Sequence, residues 1–119
     1  MSYFKIRGGQ SLQGCIEPKG NKNAALPLIA AALLADAPVV LLNMPDIGDV
    51  RTKLRLIQAM GVEVEFSNGR CEIDATGLNS AAPDIGLSSQ IRTSVLLAAP
   101  LLTRFGKARL GRPGGDRIG

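Results

Sequence analysis

The chain reads as an α/β protein organised around a βαβαββ unit, and three observations predict it. Between residues 12 and 75, apolar runs with strand and helix spacing alternate in the order strand, helix, strand, helix, strand, strand. Asn68-Gly69, set between two alternating runs, is a tight hairpin signal. With three Phe, one Tyr and no Trp, the core has to be built from Ala, Leu, Ile and Val, which suits helices packed on a sheet.

Taken in order, residues 3–7 alternate like a half-buried strand, Gly8-Gly9 breaks it, and residues 12–17 form a short strand that Pro18 ends. Gly20-Asn21 then makes a turn with Asn21 as N-cap, predicting a helix over residues 22–35, with Pro27 near enough to its start to be tolerated. Asp36-Ala37-Pro38 stops that helix, and the continuous apolar run at residues 39–42 predicts a buried strand. Ile47, Val50, Leu54, Ile57 and Met60 recur at helical spacing before Gly61, so residues 47–60 form an amphipathic helix with Arg51, Lys53 and Arg55 on its solvated side. Residues 62–67 and 70–75 are the two strands of the hairpin, and residues 76–84 are a polar connection. A second long helix opens at Ser88-Ser89-Gln90-Ile91-Arg92, reaches Phe105 and is closed by Gly106, and residues 107–110 predict a further strand.

A length of 119 residues, 45% apolar content and a mean hydropathy of +0.15 predict one globular, soluble domain with a real core. The net charge of +4 favours anionic partners, yet the scarcity of aromatics removes the stacking surface that single-strand binders use, so small anions are favoured over nucleic acid. The absence of histidine excludes a Ser-His-Asp triad, a Cys-His dyad or a histidine metal site within the chain. Lys, Arg and carboxylates remain for any chemistry. Cys15 and Cys71 fit no metal or redox spacing and read as reduced, partly buried thiols. The first residues lack the apolar core of a signal peptide, and residues 24–42 are too interrupted to span a membrane, so the expected location is cytoplasmic.

Lys22 stands out because a cation in the first turn of a helix works against the helix dipole. It is either part of an anion site, where backbone N–H groups, the dipole and the ammonium attract a phosphate or carboxylate together, or a solvated surface lysine. Offsetting the chain by 70 residues sets Lys22 against Arg92, both at predicted helix starts, and Asp46 against Asp116, both in the turn after the next strand. That is either a repeated unit, of which the chain holds one copy and the start of another, or chance similarity between two Ala/Leu-rich helices. The final stretch, Arg112-Pro113-Gly114-Gly115-Asp116-Arg117-Ile118-Gly119, has the composition of a connection or substrate flap.

Four motifs, Gly20-Asn21-Lys22-Asn23-Ala24-Ala25-Leu26-Pro27, Leu41-Leu42-Asn43-Met44-Pro45, Arg104-Phe105-Gly106 and above all Pro113-Gly114-Gly115-Asp116-Arg117-Ile118-Gly119, occur in the order found in one family. On them the chain resembles the amino-terminal part of the UDP-N-acetylglucosamine 1-carboxyvinyltransferases. The resemblance implies the enolpyruvyl-transferase fold, an inside-out α/β barrel of βαβαββ units, of which this chain would hold one unit and the start of a second. It also implies that residues 1–20 are strands completing the other domain, and that residues 21–119 are an incomplete first domain ending in the active-site loop. Family members are several times longer, so the chain is expected to be a fragment, inactive alone and lacking the carboxyl-terminal portion of the same enzyme.

The implied reaction transfers the enolpyruvyl group of phosphoenolpyruvate to the 3-hydroxyl of UDP-N-acetylglucosamine, releasing phosphate, as the first committed step of peptidoglycan synthesis. It uses no metal or organic cofactor and involves neither nucleic acid nor membrane. Lys22 would hold phosphoenolpyruvate with Asn23 beside it, Arg92 would hold substrate through its planar fork, and Asp116 would donate or relay the proton. The usual family residue at position 116 is cysteine, and aspartate is a known variant. The alternatives are a 3-phosphoshikimate 1-carboxyvinyltransferase-like enzyme, a non-catalytic anion-binding remnant, and a nucleic-acid binder using Arg104, Lys107, Arg109, Arg112 and Arg117.

Overall fold

Two helices laid on one face of a small antiparallel sheet form the centre of the molecule. The computed structural model describes residues 2–115. Its elements are α1 (Lys22–Ala32), β1 (Val39–Leu41), α2 (Gly48–Gln58), β2 (Glu63–Ser67), β3 (Arg70–Asp74), α3 (Ile85–Ser88), a 3₁₀ helix (Arg92–Leu97) and α4 (Ala98–Phe105). The strand order is β1-β3-β2, with β3 antiparallel to both neighbours. Register puts Ile73 between Val39 and Val64, and Cys71 between Leu41 and Phe66, so these six side chains share the face on which the helices lie. Val40, Glu65 and Glu72 share the other face, which faces outward. Helices inside and a polar sheet face outside agree with the inside-out arrangement that the family resemblance implies.

The hairpin forms as expected, because Asn68 (φ 48°) and Gly69 (φ 76°) both take the left-handed conformation that a two-residue turn of this hand requires. Helix α1 starts at Lys22 with Asn21 as its cap, and α4 ends on Gly106 at φ 68°, also as expected. Val50, Lys53, Leu54, Leu56 and Ile57 bury one side of α2 against Ile29, Leu33, Leu97 and Leu101. No helix among the described residues is long and apolar enough to cross a membrane.

Six expectations are corrected. Residues 2–20 form no strand, and Tyr3, Phe4, Ile6, Leu12 and Ile16 stand 84–97% exposed, because no strand edge within the described residues pairs with them. This extended segment raises the Cα radius of gyration to 17.0 Å, against about 13–14 Å for a compact chain of this length. It also leaves Cys15 exposed, whereas Cys71 is buried and both are free thiols. β1 is an edge strand with Val40 and Leu42 substantially exposed, not a buried one, since the helices cover only one face of the sheet.

The long helix expected from Ser88 to Phe105 is broken into three pieces. Asp84 caps α3 by accepting from the Leu87 N–H at 2.8 Å, Ile91 is extended, and the 3₁₀ turn yields to α4 where Pro100 has no N–H to give. Residues 107–110 were expected to form a strand and set Ala108 and Leu110 against the core, but no strand forms: among the described residues, one backbone bond, from the Arg109 N–H to the Ala81 carbonyl, ties them to the chain.

Lys53 is the largest departure. It was expected on the solvated side of α2, yet its side chain is fully buried, and its Nζ donates to the Thr93 carbonyl at 3.0 Å. Burial pushes its pKa down to about 8 from 10.5. The unfolded chain therefore binds a proton that the folded chain releases between those two values, and stability rises with pH across that window. The increment is about 3 kcal/mol at 1.36 kcal/mol per pKa unit. Urea unfolding of wild type and Lys53→Met at pH 7.5, 9 and 10.5 should give curves that diverge in favour of wild type as pH rises. Parallel curves would mean that Lys53 is not buried as a cation.

Candidate functional site

The start of α1 is held in place before any side chain reaches out. A Cβ on Gly20 would lie 1.8 Å from the Asn43 carbonyl oxygen, so only glycine lets the chain pass the turn that follows β1. Asn21 Oδ1 accepts from the Asn23 N–H at 2.7 Å, and the Asn21 carbonyl accepts from Ala24 and Ala25. The first turn of α1 carries no acidic residue, and Lys22 projects from it. Its Nζ meets Asp49 Oδ2 at 2.9 Å, and both side chains remain about half exposed. A pair at this exposure adds about 0–1 kcal/mol to stability, so its consequence is positional. Asp49 itself sits in the first turn of α2, where a carboxylate is favoured.

Arg92 opens the 3₁₀ helix after the extended Ile91. The corner before it is closed by Ser94, whose hydroxyl donates to the Ser88 and Ile91 carbonyls, both at 3.0 Å. The loop after α4 docks on this corner backbone to backbone. A Cβ on Gly114 would lie 1.5 Å from the Ser89 carbonyl oxygen, and one on Gly115 (φ 77°) would lie 3.1 Å from the Arg92 nitrogen. The two glycines of the Pro113-Gly114-Gly115 motif are thus what lets the loop approach Arg92.

Lys22, Asn23, Asp49, Gln90, Arg92, Thr93 and Gly115 line one cleft of about 300 Å³, with Leu26 and Ile91 as its apolar wall. Three of the four residues singled out from sequence, Lys22, Asn23 and Arg92, are therefore brought together. The fourth, Asp116, lies outside the described residues, and its chain neighbour Gly115 lines the cleft. The 70-residue offset has a spatial counterpart, since the two helix starts it relates border the same space. Asp46 is not part of it. Its carboxylate takes both Arg51 Nε, at 2.5 Å, and Nη2, at 2.7 Å, and that hydrogen bonding holds its pKa below the usual carboxylate value.

Sequence reasoning missed Asp49 and Lys53. The signal for Lys53 was present, because positions 50, 53, 54 and 57 follow the i, i+3, i+4, i+7 pattern of a buried stripe and Lys53 occupies one of them. Nothing in the sequence flags Asp49 as the partner of Lys22. Arg104, expected in a basic stripe, instead donates from Nη1 to the Leu33 and Ala35 carbonyls at 3.0 and 3.4 Å, where a cation complements the end of α1.

Residues 6–119 match the sequence model of the EPSP synthase (3-phosphoshikimate 1-carboxyvinyltransferase) family. Among curated relatives, the UDP-N-acetylglucosamine 1-carboxyvinyltransferase of Bradyrhizobium diazoefficiens is 48% identical over 117 residues, covering 98% of this chain and 27% of that protein. The enzyme of the same name from a Sulfurovum species is 42% identical over 119 residues, covering all of this chain and 28% of that protein. The chain thus spans little more than a quarter of the length of the relatives it matches. The crystal structure of the enolpyruvyl transferase NikO from Streptomyces tendae superposes with a TM-score of 0.79 at 29% identity, over 85% of this chain and 24% of that one. Fold, motifs and near-complete coverage by the family's sequence pattern agree, and the chain belongs to the EPSP synthase (3-phosphoshikimate 1-carboxyvinyltransferase) family.

Proposed function

We propose that this chain supplies the phosphoenolpyruvate-binding wall of an enzyme that transfers an enolpyruvyl group to the 3-hydroxyl of UDP-N-acetylglucosamine in the cytoplasm, the first committed step of peptidoglycan synthesis. The observation that carries the reading is the cleft itself: Lys22 and Arg92, 70 residues apart in the sequence, line it together with Asn23 and with Gly115, the residue before Asp116. The sugar-nucleotide branch is favoured over 3-phosphoshikimate because relatives at 38–48% identity along the chain carry the former name. The remaining arginines and the second carboxylate of the site belong to a carboxyl-terminal portion of the same enzyme. Residues 21–119 form an incomplete first domain. Residues 1–20 supply strands to the other one, a role supported by the apolar side chains that residues 2–20 leave in solvent.

In this mechanism Lys22 and Arg92 hold the phosphate and carboxylate of phosphoenolpyruvate, and Asn23 donates a neutral hydrogen bond beside them. Asp116 delivers a proton to the methylene carbon as the sugar hydroxyl, giving its own proton to a base of the site, attacks the adjacent carbon; the tetrahedral adduct then loses a proton from the new methyl group as it expels phosphate, which restores the carbon–carbon double bond. A carboxyl group in water titrates near ~3.9, so for this role the closed loop must keep the acid protonated or use it as a relay. Asp49, paired with Lys22, aims the ammonium and leaves the cleft cationic overall.

The test is steady-state kinetics on the chain joined to the rest of its enzyme. Lys22→Ala should lower kcat/KM by an amount equivalent to about 2–4 kcal/mol, the cost of removing one preorganised donor. Arg92→Lys should also be costly, because lysine keeps the charge but loses the two parallel donors. Unchanged kinetics in either variant removes that residue from the site. The 119-residue chain alone should not turn over the two substrates, and measurable turnover would refute the division of the site between this chain and a further portion.

Asp116 predicts the response to thiol-directed epoxides such as fosfomycin, which inactivate family members through the loop cysteine. The wild-type enzyme should resist them, while Asp116→Cys should become sensitive and remain active. Peptide mapping by mass spectrometry locates any adduct, and this matters because Cys15 is exposed, whereas burial pushes the Cys71 thiol up to about 11. An adduct on the wild-type loop, or full turnover by Asp116→Asn, would show the role given to Asp116 to be wrong.

A further inference from the structure

The mechanism leaves two buried ionisable side chains unused, the Cys71 thiol and the Lys53 ammonium, and only the second makes a hydrogen bond that reaches the cleft. Lys53 is 0% exposed in the middle of α2, on the same stripe as Val50, Leu54 and Ile57, where an apolar residue would be the ordinary choice. An ammonium has three N–H donors and no acceptor, and the hydrogen bond it makes among the described residues is to the Thr93 carbonyl at 3.0 Å. That carbonyl belongs to the residue following Arg92, and Thr93 itself lines the cleft. The 3₁₀ helix that begins there has no side-chain cap, and Ile91 before it is extended. Its first turn is thus held from behind by a side chain of another helix. One turn earlier on α2, Asp49 holds Lys22.

We infer that Lys53 is a positioning residue for anion recognition: by anchoring the Thr93 carbonyl it fixes the backbone that carries Arg92, so that α2 sets the spacing between the cleft's two cations. The inference rests on the reading of this cleft as a phosphoenolpyruvate site. An acceptor so close to the arginine's own backbone transmits any movement of the corner directly to the guanidinium. A displacement of a few tenths of an ångström is enough to misalign a bidentate contact.

Two measurements test it, one without ligand on the 119-residue chain and one with ligand on the chain joined to the rest of its enzyme. In native-state amide hydrogen exchange, Lys53→Met is expected to speed exchange across residues 94–97 at least tenfold, while β3 changes less than twofold. In titration with phosphoenolpyruvate, the same variant is expected to bind at least fivefold more weakly. Lys53→Gln retains an N–H donor on a shorter side chain and is expected to fall between wild type and Lys53→Met in both, an ordering that a loss of packing alone would not produce. Should Lys53→Met fail to fold, Lys53→Gln is expected to speed exchange at 94–97 at least threefold by itself. Exchange at 94–97 equal to wild type, or raised uniformly over the whole chain, overturns the inference. In the joined enzyme, a wild type that binds no phosphoenolpyruvate, or an Arg92→Ala variant that binds as wild type does, overturns the reading of the cleft instead, and the exchange comparison still decides the role of Lys53.

Discussion

The structure depends on one turn of α2. Asp49 and Lys53 sit four residues apart, on neighbouring positions of one helical surface, and each reaches a different helix start: Asp49 the side chain of Lys22 on α1, Lys53 the main chain beside Arg92. Around them Val50, Leu54 and Ile57 pack into the common core with Ile29, Leu33, Leu97 and Leu101. Apolar packing supplies the cohesion, because it is area-dependent and indifferent to direction. The two polar contacts supply what packing cannot, a defined distance between two positive charges that would otherwise separate.

Holding cations at two helix starts runs against the helix macrodipole, and the chain meets this differently at each place. At α1 the adverse charge is matched by a carboxylate from the next helix, and Asn21 satisfies a backbone donor that would otherwise compete for it. At the second start the arginine opens a 3₁₀ turn of six residues, where fewer aligned peptide dipoles face it than in a long α-helix. Breaking the expected helix at Ile91 therefore makes an arginine at that position less costly. The break also leaves the corner at Ser89 flat enough for Gly114 to lie against its backbone.

What could be read from the sequence follows from which interactions are local. The hairpin was legible because Asn68-Gly69 has few conformations to choose from, and the start of α1 because Asn21 caps through its own side chain two residues on. Lys22, Asn23 and Arg92 were legible from their places at helix starts and from the motifs around them. Illegible were the features decided by distant partners. Lys53 looks solvent-facing by residue type and buried by position, and only the arrival of the Thr93 carbonyl, 40 residues away, resolves the conflict in favour of burial. Residues 3–7, 12–17 and 107–110 have the residue types of strands, but a local pattern specifies a face and not a neighbour.

The distribution of exposed apolar side chains differs between the two sides of the molecule. The outer face of the sheet mixes Val40 with Glu65 and Glu72, which a solvent-facing surface tolerates. The helix layer is different: Leu28 and Leu34 at α1, Val95 and Leu96 in the 3₁₀ helix and Leu102 in α4 stand 38–51% exposed. An ordinary two-layer α/β domain would put polar residues on that side. An inside-out unit does the reverse, because its helices face other helices across a shared interior and its sheets face water. The apolar excess on the helices is thus the arrangement expected of a unit with the enolpyruvyl-transferase fold. It lies on the helix side, the side on which α1 and the Arg92 turn also meet, so the apolar surface and the cleft are built by the same elements.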